Sequence, residues 1–243
     1  MRLEQILGIE DSDIVTFEND HAMVSKHFRI HQAIIPQLEL LCEKAWSDGI
    51  KLALISGYRS YQRQVTIWDE KYRGERDILD QDSHPIKEFN NDEEKFCAIS
   101  QWSAIPGASR HHWGTDIDIF DATSLENGYQ LKLIPEEFSG NGPCEKLNHW
   151  LNQNLSSYGF IRPYFSSTEN HMDSTTNRDL SRKSTTLKPI SIEPWHISYL
   201  PLAQDYIQYI TAEKLINTWS RFPFSASDWA KNNVQAICKL LGT

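Results

Sequence analysis

Apolar and acidic residues alternate along TDIDIF, Thr115 to Phe120. Successive side chains on a strand point to opposite faces, so the pattern predicts a strand with Ile117 and Ile119 on one face and Asp116 and Asp118 on the other. The isoleucines suit a core. Two carboxylates on one face repel each other unless cations or a metal offset the repulsion. Directly upstream stands SRHHWG, Ser109 to Gly114. Gly114 permits a sharp turn, which would fold His111 or His112 back toward the aspartates.

A second stretch, EPWHISY, begins at Glu193, about eighty residues downstream. It sets Glu193 three residues before His196. On a flat strand these side chains would face opposite sides. A shared site therefore needs a twist or bulge near Pro194, which cannot donate to a sheet ladder. Two histidines and one carboxylate make a catalytic zinc set with a fourth position left for water. A further carboxylate that is not a ligand would act as base toward that water.

The rest of the chain reads as a mixture of helices and strands. Ile34, Leu38, Leu41 and Ala45 follow the helical period, with Pro36 suited to a first turn and Gly49 to the end. KLALIS, Lys51 to Ser56, reads as a buried strand, followed by a helix with Tyr61, Val65, Trp68 and Tyr72 on one face and Gly74 as terminator. Residues 74–98 are charged and irregular and read as an exposed excursion. CEKLNHWLNQNLSSYG reads as a helix and FIRPYF as a strand. Residues 166–189, rich in Ser, Thr and Asn, read as a flexible loop. From Pro201 onward the pattern is helical. No repeat or linker separates independent cores. The expectation is one α+β domain over 1–243, a small antiparallel sheet carrying the metal site with flanking helices, its motifs within 34–200 and a helical extension over 201–243.

Three short motifs resemble those of a known family. SRHHWGTDID fits the S-x-H-x-x-G-x-x-x-D signature of the VanY-type D-alanyl-D-alanine carboxypeptidases, which are grouped with VanX-type dipeptidases and phage L-alanyl-D-glutamate endopeptidases. EPWH fits that family's E-x-W-H, and SGYRSYQRQ, Ser56 to Gln64, is similar to its S-x-Y-R-S signature followed by a glutamine. Three motifs in order carry the resemblance. It implies a zinc ion held by His111, Asp118 and His196, Glu193 as catalytic acid–base, and Arg59 polarising the scissile carbonyl. It implies Ser109 near the substrate's terminal carboxylate, with Gln64 and Asp116 also facing the substrate. Asp116 departs from the family, which often has alanine there. It would orient a ligand, pair with Arg59 or Arg110, or compete for metal. His112 is expected to point away from the metal, solvated or behind a ligand.

The resemblance implies a zinc-dependent carboxypeptidase for peptidoglycan-type peptides such as those ending in D-Ala-D-Ala. The alternatives are an endopeptidase of the same fold, or a zinc-containing binding module without hydrolysis. Other classes are disfavoured by composition. A net charge of -9 with no dense Lys/Arg run speaks against nucleic acid as a partner. No stretch approaches the roughly 20 apolar residues of a membrane span. No signal peptide is visible, so the expected location is cytoplasmic, or periplasmic if a signal was trimmed. The four cysteines are far apart, without a CxxC pair, and are expected as free buried thiols. No feature of the sequence fixes an oligomeric state.

Overall fold

The computed structural model describes residues 2–80, 84–165, 187 and 190–241. Apart from Leu187, the polar stretch 166–189 lies outside the described residues.

The chain opens with α1 (Leu3–Ile6) and three short strands, β1 (Ile14–Thr16), β2 (Ala22–Val24) and β3 (Arg29–His31). Helix α2 (Ile35–Ser47) follows, with Pro36 in its first turn and Leu38, Leu41, Cys42 and Ala45 buried at helical spacing. Gly49, at φ +74°, carries the chain past its end into β4 (Leu52–Ser56). Helix α3 (Tyr61–Tyr72) is capped by Ser60, whose hydroxyl accepts from the Arg63 N–H at 3.2 Å.

The expected exposed excursion holds more structure than its charge suggests. A short antiparallel pair, β5 (Ile78–Leu79) with β6 (Pro85–Ile86), precedes α4 (Asp92–Trp102), which buries Phe96, Cys97 and Ile99. Asn91 caps the Glu94 N–H at 2.8 Å, and the Glu94 carboxylate accepts from the Asn90 N–H at 2.9 Å. The acids that looked like loop residues complete a helix start and favour its positive end.

Next come β7 (Asp116–Asp121), α5 (Ala122–Glu126), α6 (Glu145–Asn154), β8 (Phe160–Ile161) and β9 (His196–Tyr199). Asp121 caps α5 through the Ser124 N–H. Only the first two residues of FIRPYF pair as a strand, Pro163 standing just beyond them. The described chain ends in α7 (Leu200–Ile207), α8 (Ala212–Arg221), α9 (Ser227–Asn232) and α10 (Val234–Leu241).

The main sheet has the order β2-β4-β7-β9-β8. Three of its pairings are antiparallel, as expected, and the β2–β4 margin is parallel. Strand β7 lies between β4 and β9 and is buried along its whole length. Ile117 and Ile119 enter a core with Leu38, Leu41, Leu52, Leu54 and Ile197. A second apolar cluster joins α3 and α4 to the C-terminal helices through Trp68, Phe96, Leu215 and Trp219. Polar tips are satisfied across it: the Trp68 Nε1–H donates to Ser225 O at 2.9 Å, and the Tyr61 hydroxyl to Phe222 O at 2.6 Å. All four cysteines are free and buried. No helix among the described residues is long and apolar enough to cross a membrane.

Candidate metal centre and catalytic cleft

The β7–β9 register builds the centre. Asp118 pairs directly with His196, and Asp116 with Ser198. Asp118 and His196 therefore meet through backbone pairing alone. His111 arrives from a 3-10 turn, Arg110–Trp113, that ends at Gly114 with φ +66°. A β-carbon at Gly114 would lie 2.7 Å from the His31 N, so the turn requires glycine both for its φ and for this approach.

Ligand-capable atoms of His111, Asp118 and His196 all lie within 4.8 Å of one another, and all three residues are buried. His111 Nε2 is 3.4 Å from Asp118 Oδ2, and His196 Nδ1 is 3.2 Å from Asp118 Oδ1. The second ring nitrogens fix the tautomers. His111 Nδ1 is 2.8 Å from Gly57 O, so it carries the proton and leaves Nε2 with a free lone pair. His196 Nε2 lies 2.8 Å from Asp116 Oδ1, which leaves Nδ1 facing Asp118. Zinc–ligand bonds of about 2.0–2.2 Å in a tetrahedron separate ligand atoms by about 3.3 Å, so this donor set fits zinc. The partners on the far side of each imidazole are of the kind that orient metal-bound histidines.

Asp116 is fully buried. Its carboxylate accepts from Arg110 Nε at 2.8 Å, from the Thr115 hydroxyl at 2.7 Å and from the Ser198 hydroxyl at 3.1 Å, besides His196. Burial opposes its charge, but Arg110 and His196 outweigh that and hold its pKa well below the usual carboxylate range. With both oxygens engaged and none exposed, Asp116 has no free acceptor for substrate. It orients His196 and pairs with Arg110, two of the roles its position in the sequence left open.

Glu193 is held by a turn, not a strand. The His196 N–H donates to Glu193 O at 3.2 Å, closing a four-residue turn with Pro194 in its second position. The turn resolves the facing problem posed by the three-residue spacing: Glu193 Oε2 lies 3.6 Å from His196 Nδ1. Burial, reinforced by Asp118 and countered by His196, Arg59 and Lys71, pushes its pKa up to about 7.

Arg59 is tied to the histidine pair by its own backbone. Its N–H donates to His111 O at 3.0 Å, and its carbonyl lies 2.7 Å from His112 Nδ1. Its guanidinium donates to Gln64 Oε1 at 2.9 Å and to Ser56 Oγ at 3.3 Å. Gln64 is buried and donates onward to Ala104 O at 2.6 Å, so it positions Arg59 and has neither polar end turned to substrate. His112 accepts from the Gly107 N–H at 3.0 Å, and burial holds its pKa down at about 3. It faces away from the metal ligands, behind Arg59. Ser109 is 1% exposed, and its hydroxyl has no partner among the described residues.

Arg59, Ser109, His111, Asp118, Glu193 and His196 line a cleft of about 230 Å³. Tyr164, which sequence reasoning passed over, lines it with its ring centroid 5.0 Å from that of His196. Its backbone carbonyl accepts from the Glu193 N–H at 3.1 Å. Lys71 and Lys132 were also unforeseen. Pro163, breaking the expected strand just before Tyr164, was the available sign for the tyrosine.

Comparison with known proteins places the chain among relatives by sequence. Residues 27–178 match the family model described as VanY, D-alanyl-D-alanine carboxypeptidase. An uncharacterised protein of Haemophilus influenzae is 37% identical over 133 residues, covering 55% of this chain and 88% of its own length. A D-alanyl-D-alanine carboxypeptidase of Enterococcus faecalis is 28% identical over 193 residues, covering 78% of this chain. The match spans 56% of that relative's length. The solved structure of VanYB in complex with D-alanine-D-alanine superposes with a TM-score of 0.46 at 23% identity, covering 84% of this chain and 91% of VanYB. With the family model matched over more than half of its length, the chain belongs to the VanY D-alanyl-D-alanine carboxypeptidase family.

Proposed function

We propose that this protein is a zinc-dependent carboxypeptidase that removes the C-terminal residue of peptidoglycan-type peptides, such as those ending in D-Ala-D-Ala. The observation that carries this reading is the convergence of the His111, Asp118 and His196 donor set with Glu193 and Arg59 in one cleft. A zinc ion held by His111, Asp118 and His196 would supply Lewis acidity toward water and the scissile carbonyl. Glu193, 3.6 Å from His196 Nδ1, accepts a proton from the attacking water and returns it to the leaving amine. Arg59 uses two of its five N–H donors on Gln64 and Ser56, so others remain for the carbonyl oxygen as charge develops there. The Ser109 hydroxyl, buried and unpartnered, suits a substrate carboxylate.

One further feature supports exo-cleavage, and another bears on the extent of the catalytic unit. Asp116 is neutralised by Arg110, so it offers no free negative charge against an incoming C-terminus. The motif helix α3 packs on the C-terminal helices through Tyr61 and Trp68, which favours reading 201–243 as part of that unit. A catalytic Glu193 and Arg59 would be superfluous in a zinc-containing binding module. Mass spectrometry of short peptides ending in D-Ala-D-Ala, incubated with the zinc-loaded protein, tests the proposal. Loss of one alanine is expected; intact peptides or internal cuts would count against it.

A further inference from the structure

The catalytic cleft carries more positive charge than the reaction above uses. Its lining acids are Asp118 and Glu193, and its lining bases are Arg59, Lys71, Arg110 and Lys132. Arg110 is matched by Asp116 beneath it, and Arg59 is fixed by Gln64 and Ser56. Lys71 differs. It stands in the last turn of α3, seven residues and two turns beyond Gln64, on the same side of the helix. Among the described residues no hydrogen bond or ion pair holds its ammonium group. Burial lowers its pKa to about 8, Arg76 and Arg59 add to the fall, and Glu193 opposes it. A partly desolvated cation beside another cation is unfavourable unless an anion joins it. Lys132 lines the same cleft, its backbone N–H fixed at 2.9 Å by the buried Glu137, beside Leu133 at φ +56°. A non-glycine residue in that conformation is strained, so this rim is held in place by its surroundings.

We infer that Lys71 binds a carboxylate of the peptide substrate and so sets a preference for peptides that offer one within its reach. The inference rests on the peptidase reading above. The carboxylate has two possible sources: the substrate's own C-terminus, or an acidic residue upstream of the scissile bond.

Four matched peptides separate the sources: with and without C-terminal amidation, and with glutamate or glutamine upstream. Each is tested with wild type, K71M and K71R for KM and kcat. Each is also titrated calorimetrically into the zinc-loaded E193Q protein, with and without K71M. K71M should raise KM and Kd about tenfold or more; because Lys71 also acts on Glu193, kcat can shift as well, and binding to E193Q reads the carboxylate contact alone. The penalty should vanish for peptides lacking the relevant carboxylate, and K71R should recover much of the loss. No penalty, or an equal penalty on all four peptides, would overturn the assignment. If no peptide is hydrolysed but E193Q binding still depends on Lys71 and one carboxylate, the peptidase reading fails and the Lys71 site stands. If E193Q binds none of them, the Lys71 site is overturned as well.

Discussion

His196 is clamped between two carboxylates, with Nε2 2.8 Å from Asp116 Oδ1 and Nδ1 3.2 Å from Asp118 Oδ1. The first contact fixes the ring, and the second brings Nδ1 to the candidate ligand set. Asp116→Asn removes the charge that anchors the imidazole while nearly keeping its volume. Loss of such an outer partner typically costs 10–100-fold in metal affinity. Competition against a chromophoric chelator should show zinc binding weakened by about that factor, with the circular dichroism spectrum unchanged. Unaltered affinity would remove Asp116 from the metal's support.

The same clamp sets a pH dependence. Burial lowers the His196 pKa, but the hydrogen bonds to Asp116 and Asp118 outweigh it and raise the value to about 10 in the metal-free protein. A ligating imidazole must give up that proton. Zinc binding is therefore expected to release about one proton near neutral pH, and apparent affinity to fall about tenfold for each unit of acidification. Calorimetry in two buffers of different ionisation enthalpy reads the proton count directly. Buffer-independent heats would contradict this account.

His112 makes a separate claim about stability. Its ring bridges Arg59 O and the Gly107 N–H, and burial holds its pKa near 3, against about 6.5 in an unfolded chain. The unfolded state thus binds the proton first. The neutral ring's contribution is fully present above pH ~6.5 and is lost progressively as pH falls toward 3. In His112→Asn the side-chain amide can still donate to Arg59 O but leaves Gly107 unpaired, at a cost of about 1–3 kcal/mol. Urea unfolding at pH 7.5 and pH 5 should show this cost at the higher pH and a smaller acid-induced loss than in wild type. Parallel losses in the two proteins would sink the assignment.

The alternation in TDIDIF announced both the strand and the shared face of Asp116 and Asp118, because a period of two is a local property of the chain. The β7–β9 register that sets Asp118 opposite His196 is not local, and only the motif resemblance anticipated that pairing. The EPWH spacing looked awkward for a strand and became intelligible once Pro194 was seen in a turn. Gln64 and Asp116 were expected to face substrate. For Asp116 the pairing with Arg110 was one of the roles the sequence offered, whereas the contact of Gln64 with Arg59 depends on how α3 packs and was not legible along the chain. Helix α4 was missed because three acids in its first turn resemble an exposed loop until Asn91 is seen as a cap.

Glu193→Gln tests the proton-transfer role apart from metal binding. The amide is close in size but cannot accept and return a proton. Zinc content should stay near wild type while turnover drops by about 10²–10⁴. Lost zinc would instead mark Glu193 as part of the metal's support, and wild-type turnover would remove it from the chemistry.

Ser109→Ala tests exo- against endo-cleavage. Its hydroxyl is buried in the cleft wall without a partner among the described residues, two positions before His111. A buried hydroxyl left unpaired is costly, and a substrate carboxylate would satisfy it. Ser109→Ala should therefore raise KM by about tenfold to a hundredfold with kcat little changed, matching a charge-assisted hydrogen bond of about 1.5–3 kcal/mol. The effect should be confined to peptides with a free C-terminus. An amidated peptide should be a poor substrate for wild type and no worse for the variant. If wild type cuts free and amidated peptides equally well, the terminal carboxylate is not being read, and the cleft belongs to an endopeptidase.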